Sequence, residues 1–432
     1  MIKMKTLLRT ITIVAAGLIA CTAQTAQAST VQVGGCKTGL TNFTTIQAAV
    51  NAVPPGSTIQ VCPGTYPEQV IIAQKVTITG VSSGSLDAPI VTVPASGLVA
   101  NGVDILGNPV AAQIFVQNAT GVTISRITVD GSNNQLTSCG SPNPIGIYYQ
   151  NSSGTINDDV ARNQLMAPDL QGCQLGLAIN VESNSGAPVV NITNNSVRNY
   201  DKNGITASGP GTGGGPNVLV SGNTVIGLGA TGVIAQNGIQ VGFGASGKVM
   251  GNNVADDIYT GPTFGASGIL IYASGGITVA SNVVESTQLA IAPTTDPTAG
   301  SADNTFIDAN HIGGTQTFDA IDLCSNNDTV ESNVIFGSAQ SAIHLDDECP
   351  GPGSTPSGNN NVVRTNTINE ACAGILLGSG AGNTIGPNNT FFNVVNISLA
   401  GDSCPAVAPA FANKAAGSGE KHQSLRPSPF KM

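Results

Sequence analysis

The four residues Ala320-Ile321-Asp322-Leu323 return 22 residues later as Ala342-Ile343-His344-Leu345. A period this short cannot hold a pair of helices but fits one turn of a β-solenoid, in which each coil stacks on the last. The same small-then-aliphatic pair recurs at Gly146-Ile147, Gly176-Leu177, Gly204-Ile205, Gly238-Ile239, Gly268-Ile269, Ala290-Ile291 and Gly374-Ile375. A second series, Asn-x-aliphatic, runs through Asn195, Asn223, Asn252, Asn282, Asn310, Asn333 and Asn366 at spacings of 28, 29, 30, 28, 23 and 33. Two series in one phase predict two strands per coil.

Matching residues of successive coils form columns, because stacked strands lie about 4.8 Å apart and alternate side chains point into or out of the tube. Ile321, Leu323, Ile343 and Leu345 are therefore expected inside, with Asp322 and His344 outside as column neighbours. The same column is expected to hold Tyr148, Ala178, Thr206, Gln240, Leu270, Ala292 and Leu376. Its only titratable acid–base pair is Asp322 with His344, expected on a solvated face. Asn at stacked turns tolerates left-handed backbone and hydrogen-bonds along its column, so the Asn series is assigned to folding.

The chain opens with Lys3, Lys5 and Arg9, an apolar run from Ile11 to Ala20, and Ala26-Gln27-Ala28 before Ser29. These are the three regions of a secretory signal peptide over residues 1–28, and the apolar run is too short to span a bilayer. Secreted or periplasmic residence follows. Leu18-Ile19-Ala20-Cys21 also has the form of a lipobox, so a lipid anchor at Cys21 is the alternative and the only membrane association expected. Either route leaves eight cysteines in an exported chain, which suggests disulfides. The simplest pairing joins sequence neighbours: Cys36 with Cys62, Cys139 with Cys173, Cys324 with Cys349, and Cys372 with Cys404.

Removing Lys3, Lys5 and Arg9 takes the formal charge from −10 to −13, and only 9% of residues are charged. So few cations argue against nucleic acid as a partner. The β-helix domain is expected over residues 29–404. Residues 405–432, rich in Ala and Pro, read as a flexible tail.

Thr45 to Ala52 has helical spacing of Ile46, Ala49 and Val53 and stops at Pro54-Pro55-Gly56, which suits a short helix capping the first coil. This block resembles the N-terminal coil of pectin-lyase-like right-handed parallel β-helix proteins. The resemblance rests on Thr45-Ile46-Gln47-Ala48-Ala49-Val50, Pro55-Gly56-Ser57-Thr58-Ile59 and Pro63-Gly64-Thr65-Tyr66. It extends through the later coils from Thr44 to Leu399. It implies an all-β fold, a single-stranded right-handed parallel β-helix of roughly ten to twelve coils with a short N-terminal capping helix. It also implies a polysaccharide as partner, without selecting among lyase, epimerase, hydrolase and non-catalytic members.

Three inserts, Ser208 to Pro216, Pro293 to Asp303 and Asp346 to Gly358, follow the same strand of their coils and are expected to wall a groove. Asp319, Asp322, His344, Asp346, Asp347 and Glu348 lie within two coils, and paired carboxylates or an acid–base pair suit cleavage of a glycan. Asp319, Asp322 and His344 are the catalytic candidates, with Tyr148 and Gln240 of the outward column as substrate contacts. Asp346, Asp347 and Glu348 offer the hard oxygen ligands that calcium takes, and calcium is the cofactor considered. Asp319 to Leu323 also resembles the polygalacturonase segment that begins Asn-Thr-Asp. In that register the following Asp pair falls on Gln340-Ser341, the His of Gly-His-Gly falls on Ala373, and no Arg-Ile-Lys follows, which implies a different mechanism. Two functions stand at this stage: binding, with cleavage or epimerisation, of an extracellular polysaccharide, and a non-catalytic surface or envelope role in adhesion.

Overall fold

The computed structural model describes residues 27–399, apart from 83–88, 212–213, 262–264, 315–317 and 347–356. Three long sheets of 14, 12 and 13 strands run the length of the molecule, with parallel pairing along each and one antiparallel side strand at Gly102–Val103. The 12 strands of the shortest sheet agree with the coil number expected. Each regular coil therefore carries three strands where the repeat series predicted two. The Asn series is the reason: it marks a turn, not a strand. Asn282 sits between Thr278–Ala280 of the first sheet and Val283–Glu285 of the second, so one signal stood for a strand on either side. The small-aliphatic series marks the third sheet.

Columns of aliphatic side chains fill the tube. In the third sheet Ile147, Ile179, Ile205, Ile239, Ile269, Ile291, Ile321, Ile343 and Ile375 follow one another in register. All nine are fully buried, and each contributes about 1.5–3 kcal/mol by leaving water. Tyr148 pairs with Asn180, not with the Ala178 expected. Gly176 takes the left-handed conformation (φ +93°) just before the strand Leu177–Glu182, so the repeat pair here is Ala178-Ile179 and the column shifts by two.

The Asn series forms a buried ladder. From Asn195 to Asn366 each side-chain amide donates to the Oδ1 of the next ladder residue at 2.9–3.1 Å, ending on Asn389. The same oxygen accepts the previous ladder residue's backbone N–H, so the turn's polar groups are satisfied within the ladder. The ladder Asn is not itself left-handed. That role falls to the residue before it, such as Ser281 (φ 56°), Ala309 (φ 53°) or Ser332 (φ 59°).

The helix Ile46–Ala52 packs Ile46, Ala49 and Val50 against the core, with Thr45 accepting from Ala48 N–H at its start. Glu68 accepts the exposed N–H groups of Ile46 and Gln47 at 2.8 and 2.9 Å. Disulfides join Cys36 to Cys62 and Cys139 to Cys173. Cys324 and Cys372 are also disulfide-bonded, while Cys349 and Cys404 lie outside the described residues, as do Cys21, residues 1–26 of the signal segment and the tail 405–432. Such bonds belong to an oxidising, extracytoplasmic compartment.

Candidate functional site

A strand in a solvated sheet would alternate buried and exposed residues, yet the third-sheet strands Asn203–Ser208, Asn237–Gly242, Ser267–Tyr272, Leu289–Thr294 and Ser341–Leu345 are buried at every position. Their outer face is covered as well as their inner one. Inserts rise beside it: those carrying Gly211 and Ala299 meet, so that a side-chain atom added at Gly211 would sit 3.3 Å from the Ala299 carbonyl. Ala299 and Phe243 pack on Leu270 and Tyr272. The inward residues Ile321, Leu323, Ile343 and Leu345 are 0% exposed, whereas the outward residues Gln240, Asp322 and His344 each keep 4% and Leu270 6%. The outer face is thus covered, with slight residual exposure, and the solvated exterior expected for Asp322 and His344 is corrected.

Exposure on this face falls toward the N-terminal coils, from 4% at Gln240 to 1% at Thr206 and Asn180. Tyr148 is fully buried, stacked on Phe115 with ring centroids 4.9 Å apart, and its hydroxyl donates to Glu182 at 2.7 Å. Its ring is therefore not available as an open platform for a sugar, contrary to expectation. Gln240 lies on this face with its amide oxygen Oε1 accepting from Asn203 Nδ2 at 3.1 Å and Asn237 Nδ2 at 3.3 Å. It stands three strand steps from Asp322, about 14 Å along the face.

Asp322 and His344 are direct cross-strand neighbours, as the repeat predicts. Asp319 joins them: His344 Nδ1 lies 3.0 Å from Asp319 Oδ2 and 3.7 Å from Asp322 Oδ1. Ser341, one coil above Asp319, donates its backbone N–H to Asp319 Oδ1 at 2.7 Å and its hydroxyl to the same oxygen. The other carboxylate oxygen is left facing the imidazole. Ser341 was not identified from sequence, although its position 22 residues after Asp319 marks it as the same place one coil on.

Burial opposes ionisation of Asp319, but the His344 charge and the Ser341 bonds override it and hold the carboxyl below its usual range. Asp322 has no such donors. Burial first, and then the charges of Asp346 and Asp319, push it well above the usual range against the pull of His344. Burial alone would lower His344, yet Asp319 foremost, then Asp322 and Asp346, lift it to about 10. Neighbouring carboxyls with opposite shifts can act as acceptor and donor of protons.

Asp346 lies at the end of the same strand and is buried, with its carboxylate near Asp322. Asp347 and Glu348, the other two calcium candidates, lie outside the described residues. Cys324 approaches Asp322 and Asp346 but is disulfide-bonded and has no thiolate to offer.

Residues 236–407 match the family model described as NosD, periplasmic copper-binding protein, a stretch that contains the whole Asp319–His344 cluster. No curated protein sequence matches the chain. Among solved structures, the GH136 lacto-N-biosidase from Eubacterium ramulus is 12% identical with a TM-score of 0.53, over 86% of this chain and 67% of that one. The catalytic domain of a GH87 α-1,3-glucanase in complex with nigerose is 12% identical with a TM-score of 0.55, over 87% and 66%. The Dettilon tailspike protein is 14% identical with a TM-score of 0.51, over 80% and 62%. The chain thus spans about two thirds of the length of these structures. At such identities the likeness concerns the fold: the chain has the pectin-lyase-like parallel β-helix architecture.

Proposed function

We propose that this is an exported β-helix protein that binds an extracellular polysaccharide in a slot over the outer face of the third sheet, between Gln240 and His344. The observation that carries the reading is the residual exposure of this outer face. A continuous floor of Gln240, Leu270, Ala292, Asp322 and His344 keeps slight exposure while the residues beneath it have none. A linear polymer suits a straight face on which polar groups at Gln240 and at Asp322 and His344 flank the apolar Leu270 and Ala292. Support also comes from the fold neighbours, which include a glucanase solved with nigerose and with tetrasaccharides. Asp322 and His344, both held protonated, would supply the acid and the ionised Asp319 the base, and cleavage would run through these three residues.

The test is a panel of uronate and neutral polysaccharides, read by affinity electrophoresis and by release of reducing ends or unsaturated products. Ala292→Trp is the slot-filling control. Retardation on at least one polymer, lost in Ala292→Trp while the far-ultraviolet spectrum is unchanged, is the expected result. Binding that survives Ala292→Trp, or no binding to any polymer, overturns it.

A further inference from the structure

We propose that Asp319, Asp322 and His344 bind one divalent transition-metal ion, chemically of the copper(II) or zinc class, on the floor of the slot. The inference goes beyond glycan binding and does not depend on it. Three observations carry it. The first is spacing: His344 Nδ1 sits 3.0 and 3.7 Å from one oxygen of each carboxylate. Ligands held at about 2.0–2.2 Å from a common ion lie about 3.0–3.5 Å from one another, so an ion fits between these atoms with small shifts.

The second is an unassigned acceptor. Asp322 Oδ1 is buried, faces the imidazole and has no hydrogen-bond partner, although buried polar atoms are normally paired. The third is the support behind the ligands. Ser341 occupies Asp319 Oδ1 through both its N–H and its hydroxyl, which fixes the carboxylate and turns Oδ2 toward His344. Metal ligands are commonly oriented by outer partners of this kind.

The donor set also selects the ion. Two carboxylates and an imidazole suit copper(II) and zinc, whereas copper(I) prefers the soft sulfur ligands that this cluster lacks, Cys324 being in a disulfide. The residues therefore fit the copper of the matching family description in its oxidised form. Calcium, an oxygen-seeking ion, gains little from the imidazole.

The experiment uses the full exported chain, dialysed against chelator and titrated calorimetrically with Cu²⁺, Zn²⁺ or Ca²⁺, with electron paramagnetic resonance at one equivalent of Cu²⁺. Expected are one Cu²⁺ per chain, tighter binding of Cu²⁺ than Zn²⁺ and of both over Ca²⁺, and hyperfine structure from one imidazole nitrogen. His344→Gln should remove the nitrogen signature and Asp322→Asn should weaken Cu²⁺ binding at least tenfold, while His311→Gln and His422→Gln leave both unchanged. Because the wild-type spectrum counts imidazole ligands by itself, a variant that misfolds does not rescue the idea. A wild-type spectrum without nitrogen coupling, a signature that persists in His344→Gln, or Ca²⁺ binding as tight as Cu²⁺ would overturn the site. The polysaccharide panel run on the same chelated protein reads glycan binding separately, so either reading can fail alone.

Discussion

The Asn ladder begins on an aspartate, and that substitution has a calculable cost. Asp159 occupies the rung before Asn195: its Oδ1 accepts Ile127 N–H at 2.8 Å and its own N–H donates to Asn195 Oδ1 at 2.9 Å. Its Oδ2 stands where every other rung carries an amide nitrogen, and it is buried without a partner. Burial, far more than the neighbouring Asp158, drives its carboxyl well above the usual range, against the hydrogen bonds that it accepts. The folded chain thus holds a proton on Asp159 that the unfolded chain releases above about pH 4. With the folded pKa raised, the unfolded state binds fewer protons over this window, so stability is full below about pH 4 and falls as pH rises toward the folded value. The slope is about 1.4 kcal/mol per pH unit, or at most about 4 kcal/mol between pH 4 and 7. Asp159→Asn removes that slope and completes the rung. The amide would then donate to Asn195 Oδ1 and to the Ile124 carbonyl, as Asn195 does to Asn223 Oδ1 and Ile156. Urea unfolding of both proteins, disulfides intact, should show the gain from Asp159→Asn larger at pH 7 than at pH 3.5, by at most about 4 kcal/mol. A gain that is the same at both pH values, or a loss at pH 7, would refute the protonated-rung argument.

Two further outcomes follow from the same ladders. Asn252→Ala removes the acceptor of Asn223 N–H and Nδ2 and the donor to Val220 O and Asn282 Oδ1; stranding these buried groups should cost about 3 kcal/mol, measured by the shift of the urea midpoint. Asp328, which accepts Thr305 N–H at 2.7 Å, is raised by burial to about 8. The stability that Asp328 contributes should therefore be lost between about pH 4 and 8, and Asp328→Asn should flatten that part of the melting-temperature profile; an unchanged pH profile would remove Asp328 from the account.

The repeat of Ala320-Ile321-Asp322-Leu323 made the third sheet legible because side-chain alternation has a period of two, so a matched quartet carries its inner and outer faces with it. Nothing comparable marks the second sheet. Val283–Glu285 and Val334–Phe336 are three-residue strands with a single inward side chain each, too short to show alternation, and only their pairing with neighbours defines them. The Asp322–His344 contact was legible for the same reason as the sheet: it is a column neighbour. The burial of that pair was not. Outward-facing residues are exposed in an isolated coil, and they are covered here by inserts whose sequences, rich in Gly, Pro and Ser, carry no register. The burial of Tyr148 was hidden on similar grounds, because Phe115 in the preceding coil and Glu182 two residues after its column partner Asn180 already occupy its face and hydroxyl.

The distribution of polar groups on the covered face explains why the candidate site lies where it does. A sheet buried on both faces must satisfy every outward polar side chain internally or leave it strained. Over the N-terminal coils polar groups pair with one another: Tyr148 is bound to Glu182, Asn180 Nδ2 donates to the same carboxylate, and Asn203 and Asn237 share Gln240, with Asn180 Oδ1, Asn237 Oδ1 and Ser208 Oγ left over. At Asp319, Asp322, His344 and Asp346 what changes is charge, since three carboxyls surround one imidazole. The Asn ladder carries the turns of these coils just as it does elsewhere, so folding does not require charge at this point of the third sheet. Coils with Leu270, Ala292 or Leu376 in the same column stack in the same register without it. A buried acid–imidazole cluster that the other coils of this column do without is where the proposed binding would act.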